Sequence, residues 1–294
     1  MIFAAPNFRV SFLARGIRVL LFAGAAATLA SCSMFEEFNP FGGEKYKMVI
    51  EPDVPASKAY DQGLAQLANG APADAAKKFT DLGEKFPDSD WARKGLLMTT
   101  YAQYQGGDYD SAESSAERYV KLYPKSQEAA YALYLEASSY YRQIPDISRD
   151  QERAAKALFA FQQVIKDYPK SEYVEDSKYK IQVTMDQLAG KEMSIGRFYL
   201  NRRNYTAAIN RFRNVLTAYQ TTRHSEEALY RLVESYLGLG ITDEAQTAAA
   251  VLGHNFPDGQ WYKDAYNLLK SGGLSPKENE QSWISKLYHS VVPS

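Results

Sequence analysis

The sequence predicts an all-α solenoid of five helix pairs with a C-terminal closing helix, and three observations lead there. A short punctuation recurs as Phe86-Pro87-Asp88-Ser89, Tyr123-Pro124-Lys125-Ser126, Tyr168-Pro169-Lys170-Ser171 and Phe256-Pro257-Asp258-Gly259, with a degenerate copy, Tyr219-Gln220-Thr221-Thr222, that lacks the proline. Between copies, apolar residues fall at helical spacing, as in Ala129, Ala130, Leu133 and Tyr134. The first two copies and the last two lie 37 residues apart, with central intervals of 45 and 51, and self-similarity on that scale marks stacked repeats.

Taken in order, residues 1–31 read as an export signal. Arg9, Arg15 and Arg18 precede a charge-free run from Val19 to Ala30, about a dozen residues, too short for a membrane span of roughly 20. The run ends in Leu29-Ala30-Ser31-Cys32, which resembles the lipobox of bacterial lipoproteins, and Cys32 is the chain's single cysteine. The resemblance implies cleavage before Cys32, an S-diacylglycerol and an N-palmitoyl group on it, and no other cofactor. Two or three acyl chains, at about 0.8 kcal/mol per buried methylene, hold a protein on a bilayer. Ser33, where an Asp would retain an enteric lipoprotein at the inner membrane, points to the outer membrane, facing the periplasm. Residues 32–56 hold Phe35, Phe38 and Phe41 among Pro and Gly pairs and read as a tether.

From residue 57 to 270 the repeats take over. The aromatic of each punctuation closes the second helix of a pair onto its neighbour, and proline ends that helix. Ser89, Ser126 and Ser171 then stand where they would cap the next helix. The pairs resemble the tetratricopeptide (TPR) repeat, which implies a right-handed superhelix. That repeat places a small residue in helix A, an Ala in helix B and an aromatic four residues on. Gly63, Ala75 and Phe79 fit it, as do Ala157 with Phe161, Gly196 with Ala208 and Phe212, and Leu229, Leu232, Tyr236, Ala245 and Leu252 in the last copy. The second copy is weaker, with Ala112 and Ala116 where a large residue is expected. Two intervals are long. Gln143 to Ser148 lengthens the turn inside the third pair, and Ser171 to Leu200 is either one long helix or a helix broken near Gly190. After Pro257, Trp261 to Lys270 reads as the closing helix. Residues 271–294 form a tail in which Trp283, Ile284, Leu287, Tyr288 and Val291 suit a short amphipathic helix, acting as a cap, a partner-binding segment or a frayed end.

Composition narrows the function classes. Removing the three signal arginines leaves 31 basic and 35 acidic side chains, a net charge of −4, with no basic excess to neutralise nucleic-acid phosphates. His224, His254 and His289 lack metal-ligand spacing, and no Gly-x-Ser-x-Gly elbow occurs. Gly238-Leu239-Gly240 and Gly106-Gly107-Asp108 read as tight turns between paired helices. With no catalytic constellation and no metal site, the expected activity is binding. Tyr101, Tyr104, Tyr131, Tyr134, Tyr140 and Tyr141 all fall in the first helices of the second and third pairs. Those not needed for packing would line a peptide groove, with Tyr101, Tyr104, Tyr131 and Tyr134 as the candidates.

Together, the lipobox, the tether and five repeats with Tyr-Pro-x-Ser punctuation resemble the BamD (ComL) family of lipoproteins of the outer-membrane β-barrel assembly machinery. The local match runs from Phe198 to Phe212, an aromatic-Tyr pair, a basic turn and an Asn-Arg step. The resemblance implies a non-enzymatic scaffold whose C-terminal repeats dock on a POTRA domain of the barrel subunit BamA. It also implies contact with the other lipoproteins of the complex and N-terminal repeats that receive unfolded barrel clients. Arg211 and Asn210, with Arg202 and Arg203 beside them, are then the partner-side candidates. These arginines and Arg213 have no acidic residue until Glu226, which reads as an unpaired basic patch. Departures are Gln220 in place of proline and the extra residues after Trp261. Alternatives are a periplasmic TPR scaffold coordinating peptidoglycan synthesis or division, and a solenoid lytic transglycosylase, which would need a further catalytic domain.

Overall fold

A computed structural model describes residues 54–291, so the signal, Cys32 and the tether as far as Asp53 lie outside the described residues. Within them, helices α1 (Ala56–Ala68) and α2 (Pro72–Lys85) form the first pair, α3 (Asp90–Gln105) and α4 (Tyr109–Leu122) the second, and α5 (Ala129–Arg142) and α6 (Glu152–Asp167) the third. The fourth pair is α7 (Val174–Asn201) with α8 (Tyr205–Ala218) and the fifth α9 (Ser225–Gly238) with α10 (Thr242–Asn255). Helices α11 (Gln260–Ser271) and α12 (Trp283–Val291) follow. From α1 to α10 each helix packs on the next in sequence, and first helices of neighbouring pairs touch at α1–α3, α3–α5 and α7–α9. Contacts confined to sequence neighbours make a one-dimensional stack, the solenoid that the repeats predict.

Small residues set how closely the helices approach. A methyl group on Gly63 would stand 2.5 Å from the Phe79 ring, and one on Gly196 would collide with the Phe212 ring. Both phenylalanines are fully buried, so each glycine is the socket for the aromatic of its own pair. The second pair lacks that aromatic, since Ala116 stands at its position, and Tyr119 one turn later is fully buried instead. Tyr119 packs against Tyr123, with ring centroids 5.3 Å apart.

The punctuation builds the same turn five times. Phe86, Tyr123, Tyr168, Tyr219 and Phe256 end their helices with φ between −137° and −128° and ψ between 36° and 59°. The carbonyl of each accepts the N–H three residues on, at 3.0–3.2 Å. Tyr219 keeps this geometry although Gln220 replaces the proline, so the hydrogen-bonded turn suffices and proline reinforces it. The expected serine caps are not made. Ser89 turns its hydroxyl back to the Phe86 carbonyl at 2.7 Å, and Ser126 lies 3.2 Å from the Tyr119 hydroxyl. α5 and α7 start at Ala129 and Val174, three residues past Ser126 and Ser171, so these hydroxyls fall outside capping position. Side-chain caps occur at second helices, where Asp108 accepts from the Ser111 amide and Asn204 from the Ala207 amide.

The two long intervals are linked. α7 is a single helix of 28 residues with no break at Gly190. Its extra turns cover the long α5–α6 connection. Gln187 donates to the Pro145 carbonyl at 3.1 Å and Lys191 to the Ser148 carbonyl at 3.0 Å. A methyl group on Gly190 would lie 2.7 Å from Ile147, so glycine here admits the inserted turn.

The tail folds back on the last two pairs. Ile284 is fully buried and Tyr288 nearly so, within a cluster that includes Phe212, Leu216, Leu232 and Val251. The Trp283 indole donates to the Tyr236 hydroxyl at 3.0 Å, and Ser282 donates to Glu244 at 2.6 Å. Helix α12 is therefore a cap on α8, α9 and α10.

Candidate binding surfaces

Two surfaces collect the residues that the sequence singles out. The first is an aromatic wall on the first helices of the second, third and fourth pairs. Tyr101 on α3 lies 6.4 Å from Tyr131 on α5, and Tyr131 and Tyr134 stack on Tyr173 with centroids 5.2 and 4.9 Å apart. Tyr173, just before α7, joins the wall without having been marked by spacing within one helix. The signal that finds it is repeat phase. Four residues after three of the four punctuation prolines come Trp91, Tyr173 and Trp261, with Glu128 after Pro124 the exception. Each of these aromatics meets a tyrosine of the preceding first helix, Trp91 with Tyr60, Tyr173 with Tyr134 and Trp261 with Tyr230.

Helical geometry sorts the remaining tyrosines. Tyr104 turns towards α4, edge-on to Tyr109 at 5.7 Å, and its hydroxyl accepts from Arg142 at 3.3 Å. Tyr140 and Tyr141 are half-buried and pack on the cluster around Phe161, which Tyr134 also touches, its ring centroid 6.1 Å from that of Phe161.

The wall is apolar with fixed polar points. The Tyr134 hydroxyl donates to Asp176 at 2.5 Å and accepts from Lys180 at 2.7 Å, and Lys180 also pairs with Asp176. Burial, and then the neighbouring Tyr101 and Tyr173, push the Tyr131 hydroxyl above its ordinary range. Burial, and then Glu172, push Tyr173 up to about 12. These hydroxyls stay protonated at neutral pH, so the wall offers donors and ring faces suited to an extended peptide.

The second surface is the α7–α8 turn. Arg203 has φ +58°, the left-handed region, at the place where Gly70, Gly107 and Gly240 stand in other pairs. A side chain held there costs about 1 kcal/mol relative to glycine, and such strain collects at functional positions. Arg202 lies over the half-exposed Phe198 ring, 4.1 Å from its centroid. Asn210 is exposed on α8.

One expectation for this surface is corrected. Arg211 is not unpaired, because it reaches Glu192 on α7 at 3.3 Å, and Asn214 donates to the same carboxylate. Arg213 lies over the Trp283 ring at 4.8 Å. The acid that answers Arg211 is 19 residues upstream on the facing helix, beyond the reach of a scan along the local stretch. Arg202 and Arg203 are the cations that remain outward.

Among the described residues, no group of His, Cys, Asp or Glu is arranged to hold a metal ion, and no helix is long and apolar enough to cross a membrane.

Comparison with known proteins follows the same lines. A family model described as outer membrane lipoprotein (YfiO) matches residues 52–252. The chain is similar to the outer membrane protein assembly factor BamD of Caulobacter vibrioides, 43% identical over 251 residues, covering 85% of this chain and 80% of that one. The BamD of Rickettsia prowazekii is 42% identical over 217 residues, covering 74% and 86%. That of Neisseria meningitidis serogroup A is 32% identical over 227 residues, covering 74% and 85%.

Proposed function

Because the chain belongs to the YfiO family of outer membrane lipoproteins, whose relatives named above are BamD assembly factors, we propose that it is the lipid-anchored BamD-type subunit of a β-barrel assembly complex. As an assembly factor of this family it is a scaffold and not an enzyme. In our reading it faces the periplasm and binds unfolded outer-membrane clients on the tyrosine wall. The α7–α8 surface meets a POTRA domain of BamA, and other lipoproteins of the complex join the array. Cys32 carries the S-diacylglycerol and N-palmitoyl groups.

The observation that carries the client part is the stacked set Tyr131, Tyr134 and Tyr173, a rigid amphipathic surface. Rigid tyrosines bind with little loss of side-chain entropy, and their rings accept the aromatic side chains that alternate along barrel strands. The test is a titration of a fluorescent peptide copying a barrel protein's C-terminal strand. Tyr131→Ala with Tyr173→Ala is expected to weaken binding at least tenfold at unchanged helicity, and undiminished affinity would move the client site elsewhere. For the anchor, Cys32→Ala placed behind a signal that is cleaved without lipidation is expected to release the folded protein into the soluble periplasmic fraction. Retention on the membrane would mean that protein partners alone hold it there.

A further inference from the structure

Helices α8–α10 and α2–α4 correspond position by position. The aromatic ends Phe86 and Tyr123 recur as Tyr219 and Phe256, each 133 residues later, and α2 and α4 match α8 and α10 end to end at that offset. On α8–α10 the groove is filled by α12. Trp283 lies against Arg213 of α8 and donates to Tyr236 of α9, while Tyr288 faces Gln220 after α8. The counterparts of those three residues are Thr80, Gln103 and Pro87, and all three line an open cavity of about 600 Å³ over α2, α3 and α4.

Two further features show what the open groove lacks. The Gln103 side-chain oxygen is buried without a hydrogen-bond partner, at the position where Tyr236 receives the indole N–H of Trp283. A donor bound in the groove would satisfy that acceptor. At the rim Leu122 is 54% exposed, whereas its counterpart on α10 is Asn255.

We propose that the groove over α2, α3 and α4 is a second helix seat, occupied by an amphipathic helix of another protein. The chemistry of that helix follows from the filled seat together with the open groove's own lining. That lining keeps Pro87, Ala92, Leu96 and Leu122 as apolar contacts, although Gly83, Thr99, Ser115 and Arg118 stand where the α12 seat has Leu216, Leu232, Ala248 and Val251. The helix carries an apolar pair at i and i+4, as Ile284 and Tyr288 do, and an N–H-bearing side chain such as Trp beside the first of them to meet Gln103. An acidic residue suits Arg118, which lines the same cavity. A second copy's α12 is disfavoured as occupant, because that helix is already buried at Ile284 and pinned by Ser282 and Trp283 in its own chain. The seat lies on the second-helix side of the stack, separate from the tyrosine wall and from the α7–α8 turn, so the proposal stands apart from the function above.

The probe is a fluorescein-labelled peptide of residues 279–291, which supplies Trp283, the Ile284–Tyr288 pair and Glu280. It is titrated by anisotropy against the full chain with its own α12 in place. Saturable binding is expected, weakened at least tenfold by Gly83→Trp. A Cβ at Gly83 meets only the Ala92 carbonyl oxygen, at 4.0 Å, so that side chain fills the groove without displacing backbone, and circular dichroism verifies folding. Gln103→Leu, which removes the acceptor, is expected to weaken binding by several-fold. Absence of saturable binding, or affinity unchanged by Gly83→Trp, would overturn the proposal. So would a concentration-dependent dimer that Gly83→Trp abolishes, since the occupant would then be a second copy.

Discussion

The last two helix pairs and the first three are written in one repeat and packed in two ways. From Ala189 to Tyr288 a single apolar cluster runs without interruption through α7–α12. The first three pairs hold three smaller clusters, centred on Phe79, Tyr119 and Phe161. The difference traces to a few positions. Leu216, Leu232, Ala248 and Val251 line the groove that α12 fills, and their counterparts are Gly83, Thr99, Ser115 and Arg118. Continuous apolar lining seals one end of the array against its own tail. Polar substitution at the same phase leaves the groove over α2, α3 and α4 open. A repeat protein can thus pack its two ends differently without changing its fold, and local stability is expected to follow the same division.

The largest effect that tests this division is in the aromatic sockets. Phe79→Ala and Phe212→Ala remove equivalent, fully buried rings, each expected to cost about 3–5 kcal/mol locally. Hydrogen exchange is expected to separate them. Phe212→Ala should raise exchange throughout α8–α12, because its cluster is continuous, whereas Phe79→Ala should loosen α1–α3 alone. Equal spreading from both sites would mean that the stack unfolds as one unit and that the contrast is only one of composition.

A smaller effect depends on pH and lies in the open half. Glu136 on α5 has its carboxyl pushed up to about 7, first by burial and then by Glu117 and Glu113 of α4. Glu113 is itself held by Arg153 of α6 at 2.9 Å and by Gln143 at 2.5 Å, so that cation is already engaged. A carboxyl that holds its proton more tightly when folded favours the native state at low pH. Its contribution is complete below about 4.5, declines as pH rises to about 7 and is flat above that. Glu136→Gln is expected to raise stability by roughly 1–2 kcal/mol at pH 8, allowing for partial exposure, and by nothing at pH 4. Urea unfolding at the two pH values checks the sign. Protection in α9 and α10 should not change, which makes the closed half an internal control.

Most of the repeat grammar is legible in the chain because it is local. The five punctuations, the Gly63–Phe79 and Gly196–Phe212 sockets and the tight glycine turns need only spacing and residue size. What escapes a linear reading depends on pairs brought together from a distance. Glu192 answers Arg211 across a hairpin, and Tyr173 joins Tyr131 and Tyr134 across a pair boundary. Trp283 finds Tyr236 at 47 residues' separation. The serine caps fail for a different reason. A Pro-x-Ser turn resembles a cap in sequence, yet here the hydroxyl of Ser89 satisfies the carbonyl behind it rather than an amide ahead. Spacing identifies the turn without fixing which way the hydroxyl points.

The smallest stability effect gives the cleanest test of the closed half as an anchor. Reversing Arg211 mixes two roles, since Arg211→Glu would place like charges beside Glu192, although the half-exposed pair itself is worth under about 1 kcal/mol. Arg203 has no such complication. Its left-handed φ of +58° is one that glycine adopts freely, so Arg203→Gly relieves strain while adding freedom to the unfolded chain. The net change in stability is expected to lie between zero and a gain of about 1 kcal/mol. If the α7–α8 turn meets BamA, the same substitution must weaken co-purification with the barrel subunit. Loss of binding from a variant at least as stable as the parent cannot come from misfolding, and it would place the contact at this turn. Undiminished co-purification of Arg203→Gly, and of Arg202→Gly beside it, would remove the turn from the interface and leave its strain without a function.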